Sequence, residues 1–402
     1  MLPLSKAADF RSDTVTKPTS AMGAAMAGVC GDGDAAVGDD VMGEDSTIRA
    51  IEARAASLLG LEAAVFVPTC TMANLLAVGA HCARGDEVFL GTESHVFVYE
   101  QGGASWLMGA VFHPVTNAAD GTLPLDALRA ALATRAAAAV DAHFARPALI
   151  CVENTANRCG GSALPPAYLD ALCALAREHR LPLHCDGARL FNAAAALGVP
   201  PATLVKGFAS VSICLSKGLG APLGALLVGN LDVIAKARRL RKAVGGGMRQ
   251  AGVIAAAGLV ALNEMPQRLA ADHTLARSLA DALRSVPGLT PQARVDSNIV
   301  YTALADNFTT ENWLARVAAA RSAGAPAVVD AGSGLSAPFD AVPDGASPTT
   351  TFSTLLRIIA NVKVGGYGTA KFRAVTHHQV DASGVAALAA GATVVTRLMS
   401  PL

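Results

Sequence analysis

The chain has 402 residues, 52% of them hydrophobic, enough for a substantial core and, at roughly 100–200 residues per domain, for two or three domains. Lys plus Arg and Asp plus Glu each total 32, a formal net charge of zero, and charged residues make up only 16% against a typical ~25%. Overall disorder is excluded, and no global field favours nucleic acid or a membrane surface. The sparse charge and Ala-rich helical segments predict wide apolar faces, some of them packed against other subunits of a homo-oligomer. Eight scattered cysteines without a CxxC pair indicate neither a zinc site nor a disulfide framework, and point to a reducing compartment. No signal-peptide-like apolar stretch follows Met1, and the apolar run 253–262 is well short of the ~20 residues that span a bilayer. A soluble cytoplasmic protein is the expectation.

In chain order, Asp45 or Ser46 can cap a helix that carries Ile48, Ile51, Ala55 and Leu58 on one face. Short apolar runs at 64–67, 87–90, 148–152, 183–185, 211–214 and 225–228 read as strands, and the longer segments between them have helical period. After Pro165-Pro166, Leu169, Leu172, Cys173 and Ala176 fall at i, i+3, i+4 and i+7 of a helix over 167–180, which completes one βαβ unit. Beyond about 262 the texture changes to polar helical segments at 265–286 and 310–324, with strand-like pieces at 298–302 and 371–376. The stretch 332–351, rich in Gly, Ser, Pro and Asp, reads as a long irregular loop. The expected architecture is α/β: a large domain, 1–262, with a mainly parallel sheet flanked by helices, and a smaller α+β domain, 263–402.

Three places carry chemistry. Asp186 stands at the carboxyl end of an apolar strand, where open α/β sheets gather ligands, and a buried acid there needs a partner. Lys217 follows the next strand and precedes Gly218. The turn Thr69-Cys70-Thr71 leads from a strand into a helix, so that N–H groups and hydroxyls face an anion. Each alone has an ordinary structural explanation: an ion-paired acid, a surface lysine, a capped helix. Together they suit pyridoxal phosphate (PLP), whose aldehyde takes a lysine, whose pyridine nitrogen needs an anion and whose phosphate needs a cup.

These residues sit within longer motifs: Phe10-Arg-Ser-Asp-Thr-Val-Thr-Lys-Pro18, Gly38-Asp-Asp-Val-Met-Gly-Glu-Asp45, Glu153-Asn-Thr155, Asp186-Gly-Ala-Arg-Leu-Phe-Asn192, Ser216-Lys-Gly-Leu219, Gly245-Gly-Gly-Met-Arg-Gln250 and Arg373-Ala-Val-Thr-His377. On these motifs the chain resembles the L-threonine aldolases, within the fold-type-I, aspartate aminotransferase-like PLP enzymes, over nearly its whole length.

The resemblance implies that Lys217 is the Schiff-base lysine and Asp186 the partner of the pyridine nitrogen. It places Thr69, Cys70 and Thr71 at the phosphate, with Cys70 where the family commonly has Gly. It makes His95 the histidine stacked on the pyridine ring and His143 a second active-site histidine. Ser12, Arg189 and Arg373 match groups that hold the substrate carboxylate. Lys242 and Arg249 match residues that reach a neighbouring subunit's cofactor phosphate, so the active site is shared within a homo-oligomer, a dimer of dimers. Ala156 stands where the family often reads His.

The implied reaction is retro-aldol cleavage of L-threonine, and of L-allo-threonine, to glycine and acetaldehyde, with His95 or His143 as base for the β-hydroxyl proton. Alternatives are another lyase of the same fold, β-eliminating or serine hydroxymethyltransferase-like, and a PLP-binding homologue without turnover. A nicotinamide dehydrogenase lacks support, because no GxGxxG follows an N-terminal strand.

Overall fold

The computed structural model describes residues 8–30, 37–137, 141–322, 328–330, 336–338, 341–343 and 345–401. The chain divides into two compact units, one spanning Thr16–Ala270 and the other comprising Ala271–Leu402 with the residues up to Val15. The division lies slightly beyond 262, and the N-terminal segment, expected in the large domain, groups with the smaller unit. Backbone pairing explains this: Ala8–Asp9 lies parallel to Val362–Lys363, and Phe10, fully buried, donates to Lys363 O and accepts from Val375 N.

The larger unit is built on a seven-stranded sheet in the order Ala63–Val67, Ala225–Gly229, Ser210–Cys214, Leu183–Gly187, Pro147–Glu153, Glu87–Gly91, Val111–Val115. Only Ala225–Gly229 runs against the others. All six expected strands are present. The seventh, Val-Phe-His-Pro-Val, carries a proline and a histidine and was not expected; at the sheet edge Pro114 breaks no central ladder.

Successive strand residues point to opposite faces, so continuous apolar runs feed two cores. Phe66, Phe89, Ile150, Val152 and Val211 pack on one face with the helices Ser46–Leu59, Pro166–Glu178 and Gly252–Glu264. On the other face, Val65, Val67 and Leu227 pack with Cys70–His81 and Leu231–Ala243, while Val88 and Leu90 form a further cluster with Val78 and Cys151. Asp45 is the cap of Ser46–Leu59, whose buried stripe ends on Leu59 rather than Leu58. The Asp45 carboxylate accepts from Ile48 N at 3.0 Å, Gly252 N at 2.8 Å and Gly38 N at 3.2 Å. A Cβ at Gly252 would stand 2.4 Å from Asp45 Oδ1, so only glycine lets this second helix start against the same acid.

In the smaller unit an antiparallel sheet runs Gly365–Tyr367, Lys371–Val375, Ile299–Leu304, Leu289–Pro291. Its core holds Phe10, Trp313, Phe352, Phe372, Leu388 and Val395. The region 332–351 is not wholly a loop: Ser336–Pro338 pairs antiparallel with Val328–Asp330, and the helix Pro348–Ala360 begins inside it, capped by Ser347 with proline in its first turn. Residues 332–335, 339–340 and 344 of that region lie outside the described residues. Among the described residues one helix, Ala382–Met399, is long and apolar enough to cross a membrane; Val385, Leu388, Ala392, Val395 and Met399 bury one side of it in this unit's core.

Candidate active site

The strand direction collects the chemistry. Ala63–Val67, Glu87–Gly91, Pro147–Glu153, Leu183–Gly187 and Ser210–Cys214 all point the same way, and beyond or at their carboxyl ends stand Thr69, His95, Glu153, Asp186 and Lys217. This is the edge where open α/β sheets bind ligands.

The helix Cys70–His81 opens that edge. Thr69 caps it, its hydroxyl accepting from Met72 N at 3.1 Å and its carbonyl from Ala73 N at 3.1 Å. The N–H groups of Cys70 and Thr71 make no hydrogen bond among the described residues, and the side chains of Thr69 and Thr71 are exposed, an arrangement ready for an anion. Cys70 is the first helical residue and does not have positive φ, so this turn does not require the glycine common in the family. Its Sγ lies 3.5 Å from Ser212 Oγ. The Lys217 amine makes no hydrogen bond or ion pair among the described residues; burial pulls its pKa down, Cys214, Cys70 and Asp186 pull it up against Arg189, and the net direction is upward.

Asp186 is 3% exposed and its side chain accepts from two donors, Asn74 Nδ2 at 2.9 Å and Ala188 N at 3.1 Å. Two donors leave half the acceptor capacity of a carboxylate for a protonated pyridine nitrogen. The same Asn74 Nδ2 donates to Glu100 Oε1 at 2.9 Å, and that oxygen pairs with His95 Nδ1 at 2.8 Å. Burial pushes Glu100 up, opposed by its bonds to His95 and Asn74. Burial pulls the His95 imidazole down, but the Glu100 hydrogen bond and the Asp186 and Glu100 charges outweigh it. His95 N also donates to Glu153 Oε2 at 2.6 Å. His95, Glu100 and Asp186 place their polar atoms within 4.8 Å of one another, a separation that would suit a metal. The Asn74 amide already donates to both carboxylates, which satisfies part of their acceptor capacity without a cation.

Sequence reasoning missed Asn74 and Glu100. Their signal was a buried asparagine amid Ala73, Leu76 and Ala77, and an acid five residues after His95.

Arg189, 6% exposed, lies just past Asp186, caps the helix Leu190–Leu197 and reaches Asn157 Oδ1 at 3.5 Å. Ser12 and Arg373 belong to the smaller unit, where they approach each other: Arg373 Nη2 donates to Arg11 O at 3.3 Å, next to the buried Ser12. Lys242 and Arg249 are exposed, and Arg249 pairs with Asp39 at 2.6 Å. The motif around Gly38 thus supplies Asp39 for Arg249 and Asp40 for Arg241.

The fold does not bring His143 to the cluster. It precedes Pro147–Glu153 and so lies toward the amino edge of the sheet, opposite the strand ends that carry Asp186, with its side chain 87% exposed and Nδ1 on Asp141 Oδ1 at 2.5 Å. Ala156, 5% exposed, fits against Gly121, where a Cβ would stand 2.3 Å from that of Ala156.

The model of the beta-eliminating lyase family matches residues 9–306. A probable low-specificity L-threonine aldolase 2 of Arabidopsis thaliana is 50% identical over 295 residues, 73% of this chain and 81% of that protein. The low specificity L-threonine aldolase of Escherichia coli K12 is 46% identical over 293 residues, 73% of this chain and 83% of that protein. Among solved structures, a Leishmania major threonine aldolase superposes with a TM-score of 0.71 at 19% identity, covering 98% of this chain and 100% of that one. An aspartate aminotransferase from Rhodobacter sphaeroides gives 0.64 at 19% identity, over 98% of this chain and 93% of that one. The free N–H groups, the unpaired lysine and the half-occupied carboxylate fit PLP, and the chain belongs to the beta-eliminating lyase family of PLP-dependent, fold-type-I enzymes.

Proposed function

We propose that this chain catalyses the retro-aldol cleavage of L-threonine and L-allo-threonine to glycine and acetaldehyde. One observation carries the reading: an unpaired Lys217 amine, the anchored Asp186 carboxylate and a His95 imidazole engaged at Nδ1 stand together at the carboxyl ends of parallel strands. The two relatives at 46–50% identity, both named as threonine aldolases, support it.

PLP, when bound, would supply an electron sink for the reacting centre. Lys217 would hold it through Nζ, Asp186 would pair with its ring nitrogen, and Thr69, Cys70 and Thr71 would hold its phosphate. His95 would lie against its ring. With Nδ1 donating to Glu100, its Nε2 is the basic atom left to take the β-hydroxyl proton. His143 is not assigned as base, because the fold of its own chain carries it to the other sheet edge. Arg189, with Ser12 and Arg373, binds the substrate carboxylate and orients Cα–Cβ; a guanidinium fork suits that role.

Lys242 and Arg249 serve the cofactor phosphate of a neighbouring subunit, which makes the enzyme a homo-oligomer, a dimer of dimers, working in the cytoplasm. Exposed Trp106, Met42, Tyr99 and Phe97 are apolar surface consistent with association.

The test is acetaldehyde release from L-threonine by the purified protein, with and without added PLP, coupled to an NADH-dependent alcohol dehydrogenase. PLP-dependent NADH consumption is expected. Keto-acid and ammonia without aldehyde would replace the reading with β-elimination, and neither product would leave a binder without turnover.

A further inference from the structure

The Asn74 amide is saturated, and its orientation follows from its neighbours. It is 1% exposed. Its Nδ2 donates to the Asp186 and Glu100 carboxylates, which offer acceptors, so Oδ1 must face the other side. There it accepts from Ser212 Oγ at 2.7 Å and meets His184 Nε2 at 3.1 Å. An acceptor oxygen requires that His184 Nε2 carry the proton. His184 is fully buried, and burial pushes it down to about 4, so the ring is neutral and Nδ1 is bare. Nδ1 then accepts from Ser210 Oγ at 2.9 Å, and Ser210 Oγ in turn accepts from His81 Nε2 at 2.8 Å. Every donor in the line from His81 through Ser210, His184 and Asn74 points toward the two carboxylates.

From this line we infer that His184 is a positioning residue. As the Nε2–H tautomer it fixes the Asn74 amide, which holds Asp186 and Glu100, and through Glu100 the ring of His95, in one arrangement. The inference rests on the reading of Asp186 as the partner of the PLP ring nitrogen. A mutually polarised, fully satisfied network is rigid, whereas a flipped amide would aim its oxygen at two carboxylates. The line crosses three elements, the helix Cys70–His81 and the strands Leu183–Gly187 and Ser210–Cys214, so it ties the phosphate-cup helix to the strand that carries Asp186.

Two variants separate positioning from mere packing. In His184→Gln the amide nitrogen overlays imidazole Nε2 and reaches Asn74. In His184→Asn the shorter amide reaches only the Nδ1 position toward Ser210. Full-length proteins are compared for PLP dissociation constant, read from the cofactor's visible band, and for the melting temperature of the PLP-free form. Expected is affinity within about threefold of the parent for His184→Gln and a loss of tenfold or more for His184→Asn, at similar melting temperatures. Equal losses in both, or losses that track melting temperature, would overturn the inference. Independently, 15N spectra of histidine-labelled protein without PLP should show His184 as the neutral Nε2–H tautomer; an Nδ1–H tautomer would also overturn it. Failure of the parent protein to bind PLP would instead sink the cofactor reading, with the tautomer still deciding the network.

Discussion

Glu153 and Asp186 face each other in register at the carboxyl ends of adjacent parallel strands, and the protein gives them different hydrogen-bond partners. Asp186 receives a side-chain amide and a backbone N–H. Glu153 receives the N–H groups of His95 and Asn157, yet burial, with the Asp186 charge added, raises its pKa to about 7. Of the two buried acids on this edge, Glu153 is thus the one that burial and a neighbouring charge set to titrate near neutral pH.

This gives a pH signature. The unfolded chain loses the Glu153 proton near 4.5, the folded chain near 7, so unfolding releases a proton between those values and stability falls as pH rises through that window. Glu153→Gln should remove the part of the decline due to this group, on the order of 1–3 kcal/mol. Urea denaturation at pH 5 and pH 8 of parent and variant measures it; parallel slopes in the two proteins would refute the assignment.

Glu100→Gln tests the pairing with His95. The Glu100 hydrogen bond and charge favour the imidazolium, so their removal should lower the His95 pKa. The acid limb of the kcat/KM profile should move to lower pH, with a modest loss at the optimum. An unmoved limb would separate His95 from the titration that governs the rate.

Lys217→Ala should abolish aldehyde release, by 1,000-fold or more, together with the visible absorption of lysine-bound cofactor. Appreciable residual turnover would refute Lys217 as the attachment point.

His143→Ala should leave kcat within about threefold, because the imidazole is 87% exposed at the amino edge of its own sheet. A loss beyond tenfold in steady-state kinetics would mean that the residue acts on the site of another copy.

Ala156→His, which restores the residue the family often carries, should destabilise the protein by about 1–3 kcal/mol, since Ala156 Cβ already leaves no room for a Cβ on Gly121. Thermal melting reads this directly; an unchanged midpoint would show that the pocket yields.

Six strands of the large sheet, the Asp45 cap and the places of Thr69, Asp186 and Lys217 were legible in the order of residues. Each is a local signal: an apolar run closed by polar residues, a cap before a periodic stripe, a reactive residue just past a strand. The edge strand Val111–Val115 was illegible because an edge tolerates proline and a histidine that a central strand would not. The motif resemblance named His95 and His143 alike, and only tertiary structure distinguished them. Strand polarity carries residues after Glu87–Gly91 to the site edge and residues before Pro147–Glu153 to the opposite one. Asn74 and Glu100 were likewise decided by register, since a buried amide means nothing until the sheet brings Asp186, 112 residues later, within 2.9 Å. Local sequence determined which side chains were available at strand ends; the pairing of distant strands determined which of them share a hydrogen bond.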